Sequence, residues 1–317
     1  MKRIFCTFLM LFFAASFLVS CGNSQSKQDK ITIVTTVFAE YDWARQILGE
    51  TVDEVNLILL TESGTDLHSY QPSIDDMITI TTCDLLIYTG GTSDEWITEA
   101  LSLSPSEERL VVRLTDLLAD EELLCAEEHH DGHHDHNEEF DEHVWLSLRH
   151  AMIFCNAICE KLSALIPENE TVYRENCANY IRQLEELDLA YAEAVRASSA
   201  TAILFADRFP FAYLFHDYSL ACYAAFPGCS SETEASFKTI STLAEAINEF
   251  SLPAVVVLES SDLTLAKTIV AATNAKSAVI VTMDSMQSVT RASIESGFTY
   301  LSVMTQNLSA LKVALGL

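Results

Sequence analysis

About thirty consecutive residues, Glu168 to Ala197, follow Pro167 without a glycine or a proline. Within them Tyr173, Cys177, Tyr180, Leu184, Leu187 and Tyr191 recur at alternating steps of four and three. That spacing puts one apolar stripe on a single helix, which at 1.5 Å per residue would run for about 45 Å. A helix so long and so narrowly apolar must lie against something else. A coiled-coil dimerisation arm is the alternative, but its apolar seam would have to be longer, and the tyrosines suit packing against flanking lobes. The helix therefore predicts a stiff connection within a monomer, and the parts on either side of it have to be read as its cargo.

Both sides alternate strand-like and helix-like segments. Before the helix, Ile31–Val37, Val52–Leu60, Leu85–Thr89 and Leu110–Leu114 read as strands, separated by helical stretches at Glu40–Leu48, Ser73–Thr82 and Trp96–Leu101. After it, Ala202–Phe205, Leu220–Ala225, Ala254–Leu258 and Ala278–Val281 read as strands. Phe211–Tyr218, Ser236–Phe250, Leu263–Asn274 and Tyr300–Leu315 read as their helices. Strand and helix in regular turn imply βαβ units and parallel sheets. The expected fold is α/β, with two similar lobes, residues 31–166 and 199–317, joined by one rigid helix over 167–198, with a cleft between them.

The chain opens with a targeting pattern over residues 1–20. Lys2 and Arg3 precede a nearly unbroken apolar run, Ile4 to Leu18, of signal-peptide length. It ends Leu18-Val19-Ser20-Cys21-Gly22, which resembles a bacterial lipobox and makes Cys21 the expected lipidation site. Polar residues 21–30 then read as a tether to the membrane. No later run reaches the roughly 20 apolar residues of a membrane span. Lys+Arg number 18 against 46 Asp+Glu, a formal charge of -28. That excludes binding along a nucleic-acid backbone and attracts cations over long range. Seven cysteines follow the lipobox without zinc-finger spacing. Cys222 and Cys229 are near enough in sequence for a small loop bridge, and no pairing is assigned.

The chemistry concentrates in Glu127–Trp145, EEHHDGHHDHNEEFDEHVW. Six of the nine histidines lie in it, five of them, His129, His130, His133, His134 and His136, within eight residues, with His143 seven further on. Neutral imidazole suits zinc, copper, nickel and iron, and acidic neighbours orient it. Four short pieces stand out: Asp66-Leu67-His68-Ser69, Ala206-Asp207-Arg208-Phe209 and Met283-Asp284-Ser285-Met286 follow strands, and Asp141-Glu142-His143-Val144 is a loop entering a helix. Ligands in open α/β folds bind beyond the carboxyl ends of strands. His68, His143, Asp207 and Asp284, two from each lobe, are therefore expected to converge on a four-coordinate divalent ion. A zinc hydrolase would add a general base, for which Glu142 or Glu259 would have to serve, but neither HExxH nor GxSxG is present.

DLHSYQPS around His68, DEHVWLS around His143, the long helix, Leu258-Glu259-Ser260-Ser261, TMDSMQ around Asp284 and the closing Tyr300-Leu301-Ser302-Val303-Met304 together resemble the substrate-binding lipoproteins of bacterial zinc and manganese ABC transporters, the ZnuA-like family. The resemblance spans essentially the whole mature chain. It implies Zn2+ as cargo with Mn2+ second, and an ABC permease and ATPase as partners. It further implies a lipid-anchored extracytoplasmic location and an auxiliary collecting role for the His-rich loop at about 125–139. It implies no enzymatic activity. His68 and His143 carry over as ligands and Asp284 as the carboxylate ligand, with Glu259 behind them. The third ligand departs from the pattern. Where the family places His or Glu, the spacing lands on Arg208, which cannot ligate; Asp207 beside it, His216 or water would have to fill the position. A surface adhesin or scavenger uncoupled from transport fits the same features.

Overall fold

Apolar, β-branched segments that are buried on both faces make the central strands of parallel sheets, and both sheets of this protein are built that way. The computed structural model describes residues 30–61, 63–125, 140–200, 202–226, 228 and 235–317. Cys21, Cys229 and the five histidines from His129 to His136 lie outside them. In the first sheet β1 (Thr32–Thr35) and β3 (Leu85–Tyr88) are the interior strands, flanked by β2 (Asn56–Leu59) and β4 (Leu110–Arg113) in the order β2-β1-β3-β4. All pairs are parallel, with Thr35 opposite Leu59 and Ile87 and Tyr88 opposite Arg113. The second sheet repeats the order as β6-β5-β7-β8, from β5 (Ala202–Phe205), β6 (Ala221–Ala224), β7 (Ala254–Leu258) and β8 (Val279–Met283). Every residue of β3 and β5 is buried, as is every residue of β7. Parallel strands all end at one edge, so each sheet gathers its connecting loops there.

The first lobe carries α1 (Phe38–Leu48), α2 (Ile74–Thr82), α3 (Glu95–Leu103) and α4 (Leu148–Leu165). The second carries α6 (Ala212–Asp217), α7 (Phe237–Phe250), α8 (Thr264–Ala272), α9 (Arg291–Glu295) and α10 (Tyr300–Ala314). Between them runs α5 (Glu170–Ala197), 28 residues or about 42 Å long. A short 3₁₀ turn at Pro167–Asn169 starts it. Its buried side chains, Tyr173, Cys177, Tyr180, Leu184, Leu187, Tyr191 and Ala194, are the stripe read in the sequence. The stripe packs on α1 and α4 of the first lobe and on α10 of the second.

One local expectation shifts. The strand expected from Val52 begins at Asn56, because Gly49–Glu54 winds into a 3₁₀ turn whose entry, Gly49, has φ +57. The helix entered after His143 runs 18 residues to Leu165, capped by Ser147, whose hydroxyl accepts the His150 N–H.

One apolar core passes through both lobes and the connecting helix, from Trp43 and Phe154 to Tyr300 and Met304. Buried polar bonds stitch it. The Tyr300 hydroxyl donates to the Trp145 carbonyl at 2.8 Å, and the Trp145 indole donates to the Ser285 carbonyl at 3.0 Å. Asp42 accepts the Tyr300 N–H at 2.8 Å, and Tyr213 donates to the Asp141 carbonyl at 2.8 Å. Among the described residues no helix is long and apolar enough to cross a membrane.

Candidate metal site

After β2 the chain makes a single 3₁₀ turn at Leu67–Ser69, capped by Asp66, whose Oδ1 accepts the His68 N–H at 3.0 Å. The cap fixes the backbone under His68. The His68 ring is held from behind: Nδ1 lies 2.8 Å from the Ser93 hydroxyl and 3.9 Å from Glu142 Oε2. Glu142 reaches this position because residue 91 is glycine. A Cβ there would stand 2.3 Å from the Glu142 Cγ. Its other oxygen accepts the Ser93 N–H at 2.8 Å.

His143 is 1% exposed and is held by its own neighbour. Asp141 Oδ1 accepts both the His143 backbone N–H and its Nδ1–H, each at 2.8 Å. A carboxylate in this role only accepts, so Nδ1 carries the proton and Nε2 keeps its lone pair. This carboxylate–imidazole pairing is the usual support behind a metal-ligating histidine. The Nε2 atoms of His68 and His143 meet at 3.2 Å, with the rings 65° apart. Gln287 meets both of them, its side-chain amide touching His143 Nε2 and lying 3.3 Å from His68 Nε2. The two Nε2 atoms thus face each other beside one carboxamide.

His68, His143 and Gln287 line a pocket with Arg208, Pro210, Leu258 and Gly228, of about 150 Å³ including its opening to solvent. The Arg208 guanidinium reaches across from the second lobe to Asp66 Oδ2 at 3.2 Å. Two of the four expected ligands are therefore brought together. The other two lie outside the pocket lining, each turned toward backbone. Asp207 accepts the N–H of Arg208 at 2.9 Å and of Leu258 at 3.4 Å. Asp284 accepts the Met286 N–H at 2.8 Å, while Asn307 brackets its backbone with two bonds of 2.8 Å. Burial, and next the charge of Glu259, push the Asp284 carboxyl up to about 7. Glu259 is itself engaged by the N–H and hydroxyl of Ser285 at 3.0 and 2.7 Å. His216 is exposed on α6 and lies outside the lining.

Gln287 is the residue that sequence reasoning passes over. It sits inside TMDSMQ, three positions after Asp284, where the carboxylate draws the attention. The chain reverses at Met286, which takes φ +62, and Gln287 follows that reversal. Among the described residues no group of three or more His, Cys, Asp or Glu is arranged to hold a metal. The donors present are two imidazoles and an amide.

The profile of the family described as zinc-uptake complex component A, periplasmic, matches residues 33–314. The chain belongs to that family. Its curated relatives include the zinc-binding lipoprotein AdcA of Streptococcus pneumoniae, 31% identical over 98% of this chain. The match covers 61% of that relative, so this chain spans only part of its length. The high-affinity zinc uptake system protein ZnuA of Bacillus subtilis is 28% identical over 95% of both chains. Among solved structures, the Zn(II)-bound ZnuA-like domain of Streptococcus pneumoniae AdcA matches with a TM-score of 0.74 at 28% identity, over 91% of this chain and 100% of that one. The metal-dependent lipoprotein YcdH of Bacillus subtilis matches at 0.75 over 91% and 100%, and its 23% identity speaks to the fold alone.

Proposed function

We propose that this family member is the extracytoplasmic solute-binding component of an ABC importer, capturing a divalent ion, zinc before manganese, and passing it to a membrane permease energised by an ATPase. The observation that carries this reading is the convergence of the Nε2 atoms of His68, backed by Ser93, and of His143, backed by Asp141, in the pocket between the lobes. The names of the relatives favour zinc. In this reading His68 and His143 are ligands, and Gln287 turns its carbonyl oxygen to the ion. Asp207 and Asp284 join only if their loops rearrange. The protein works as a monomeric carrier and not as a hydrolase. Neither HExxH nor GxSxG, the motifs such a hydrolase would carry, occurs in the sequence. Residues 1–20 act as a signal peptide, Cys21 as the lipid anchor, and the histidines of 125–139 as an auxiliary collector. Residues 31–166, 167–198 and 199–317 are the two lobes and their connection.

Zinc titration of the chain from residue 22, beside His68→Ala and a deletion of 127–137, tests this. One tight zinc that is lost in His68→Ala and kept in the deletion is the expected result. Zinc that follows the loop and ignores His68 would replace it with a surface scavenger.

A further inference from the structure

We propose that Cys159 and Cys177 are a modification site, a dithiol that closes to a disulfide and staples α4 to α5. The pair is not part of the pocket lining described above. α4 and α5 are joined by the short turn at Pro167–Asn169 and pack on each other more extensively than any other two elements among the described residues. Helices joined so closely and packed along their length form an antiparallel hairpin. Cys159 stands six residues before the end of α4 and Cys177 seven after the start of α5, so the hairpin sets them opposite each other. Both are free thiols, 4% and 3% exposed. Their side chains are in hydrogen-bond contact. The Cys177 thiol also lies 3.5 Å from the Cys155 carbonyl oxygen, one turn before Cys159. Bringing the sulfurs from contact to the bonded distance of about 2 Å asks for side-chain rotation and a small approach of the helices. Other partners are worse placed. Cys155 and Cys159 share one helix a turn apart, which is poor spacing for a bridge. Cys83 belongs to a separate core cluster, and Cys222 lies on β6.

The two thiols are not equivalent. The bond from Cys177 brings the Cys159 thiol down to about 7, against the cost of burial. The Ser163 hydroxyl, buried one turn on with no partner at full hydrogen-bond geometry, and the Arg174 guanidinium add to the lowering. The same contact, and then burial, raise Cys177, and burial raises Cys155. Cys159 is therefore the nucleophile, and Cys177 resolves. The co-reactant is a small disulfide of the glutathione class. The Cys159 thiolate attacks one of its sulfurs, forming a mixed disulfide and releasing one thiolate. Cys177 then attacks the Cys159 sulfur and releases the second. Two protein thiols are oxidised, the small disulfide is reduced to two thiols, and the two protons go to the released thiolates. Burial places this exchange in the time of folding, and a hairpin closed by a short turn is a local contact of the kind that forms early. Outside the cytosol such a bridge persists.

The test uses the chain of residues 31–317, which forms one compact unit. It is unfolded with reductant and EDTA, refolded in a buffer of oxidised and reduced glutathione, and alkylated with iodoacetamide. Trypsin separates residues 150–161, which hold Cys155 and Cys159, from 175–182, which hold Cys177. The two peptides should appear as one linked species, lighter than their sum by two hydrogens. Fragmentation should place the bridge on Cys159 and leave Cys155 alkylated. The thermal midpoint of the oxidised protein should lie roughly 5–10 °C above that of the reduced protein. In Cys159→Ser the two midpoints should coincide. The proposal is overturned if the wild-type peptides stay unlinked, or if fragmentation places the bridge on Cys155. It is also overturned if oxidation fails to raise the wild-type midpoint, or if the rise survives in Cys159→Ser.

Discussion

At the scale of single residues, the site is two imidazoles whose facing nitrogens are oriented by what stands behind the rings. Asp141 fixes the tautomer of His143 by accepting from its Nδ1, and Glu142 lies behind His68 because Gly91 leaves room. Gln287 faces both rings with a neutral group, and its substitution gives a direct reading of the site. Gln287→Glu places a carboxylate oxygen where the amide now sits and adds a negative charge to a ligand set that has none. Zinc affinity should rise about tenfold or more, as measured by chelator competition, while Asp284→Asn should change it far less. Equal losses in both variants would mean that the loop from Asp284 to Gln287 rearranges on binding. His68, His143 and the anomaly at Arg208 were legible in the sequence because their residue types declare their chemistry and, for His68 and Arg208, the strand before each places it at a sheet edge. Gln287 was not. An amide is a weak ligand, and the choice between it and Asp284 depends on a backbone reversal at Met286 and on the crowding of Asp284 against Glu259. Periodicity carries no trace of either.

At the scale of elements, the first turn of α1 holds a fully buried carboxylate. Glu40 Oε2 accepts the N–H groups of Thr36 and Val37 at 2.8 and 3.1 Å, and Thr89 donates to Oε1 at 3.1 Å. Those bonds favour the ionised form, yet burial outweighs them and, with the nearby Asp94, raises the carboxyl from 4.5 to about 8. Asp94 is itself pushed up to about 7 by burial and then by Glu142. A folded-state value above the unfolded one means that the native state binds the proton more tightly. The stabilisation is complete below about pH 4.5 and is lost as pH rises through about 8. Unfolding free energy should therefore fall between pH 6 and 9, by on the order of 2 kcal/mol from Glu40, and urea titrations at the two values would read it. Glu40→Gln, which mimics the protonated group, should flatten the slope. A slope unchanged in Glu40→Gln would mean that other groups set the pH dependence. The connecting helix, by contrast, was readable almost to the residue. Its stripe is a property of spacing alone, and each predicted position is buried. The strand at Asn56 was misplaced by four residues because a 3₁₀ turn reads locally like extended apolar chain.

At the scale of the whole molecule, the question is how a cleft between two lobes opens. Wide closure about a hinge needs an interface that separates cheaply, and here the interface is the core. Trp43 packs edge-on against Tyr300 with centroids 5.1 Å apart, and α5 is buried against helices of both lobes. Rotating the lobes apart would break the Trp145–Ser285, Tyr300–Trp145, Tyr213–Asp141 and Asp42–Tyr300 bonds. Each buried group left without a partner costs about 1–3 kcal/mol, before any apolar surface is uncovered. A ligand shifts such an equilibrium only by its differential affinity for the two arrangements, and an ion held by two imidazoles and an amide has little to set against that sum. Entry and release should instead run through the loops that carry the site. Small-angle scattering with and without zinc should give radii of gyration that agree to within about 0.5 Å, against the roughly 19 Å expected for a compact body of this size. Hydrogen exchange should gain protection over 63–71, 90–94, 140–147 and 284–290 and stay unchanged along α5. A contraction of an ångström or more, or new protection spread along α5, would mean that the lobes move as bodies and that the continuous core yields more cheaply than its buried bonds imply.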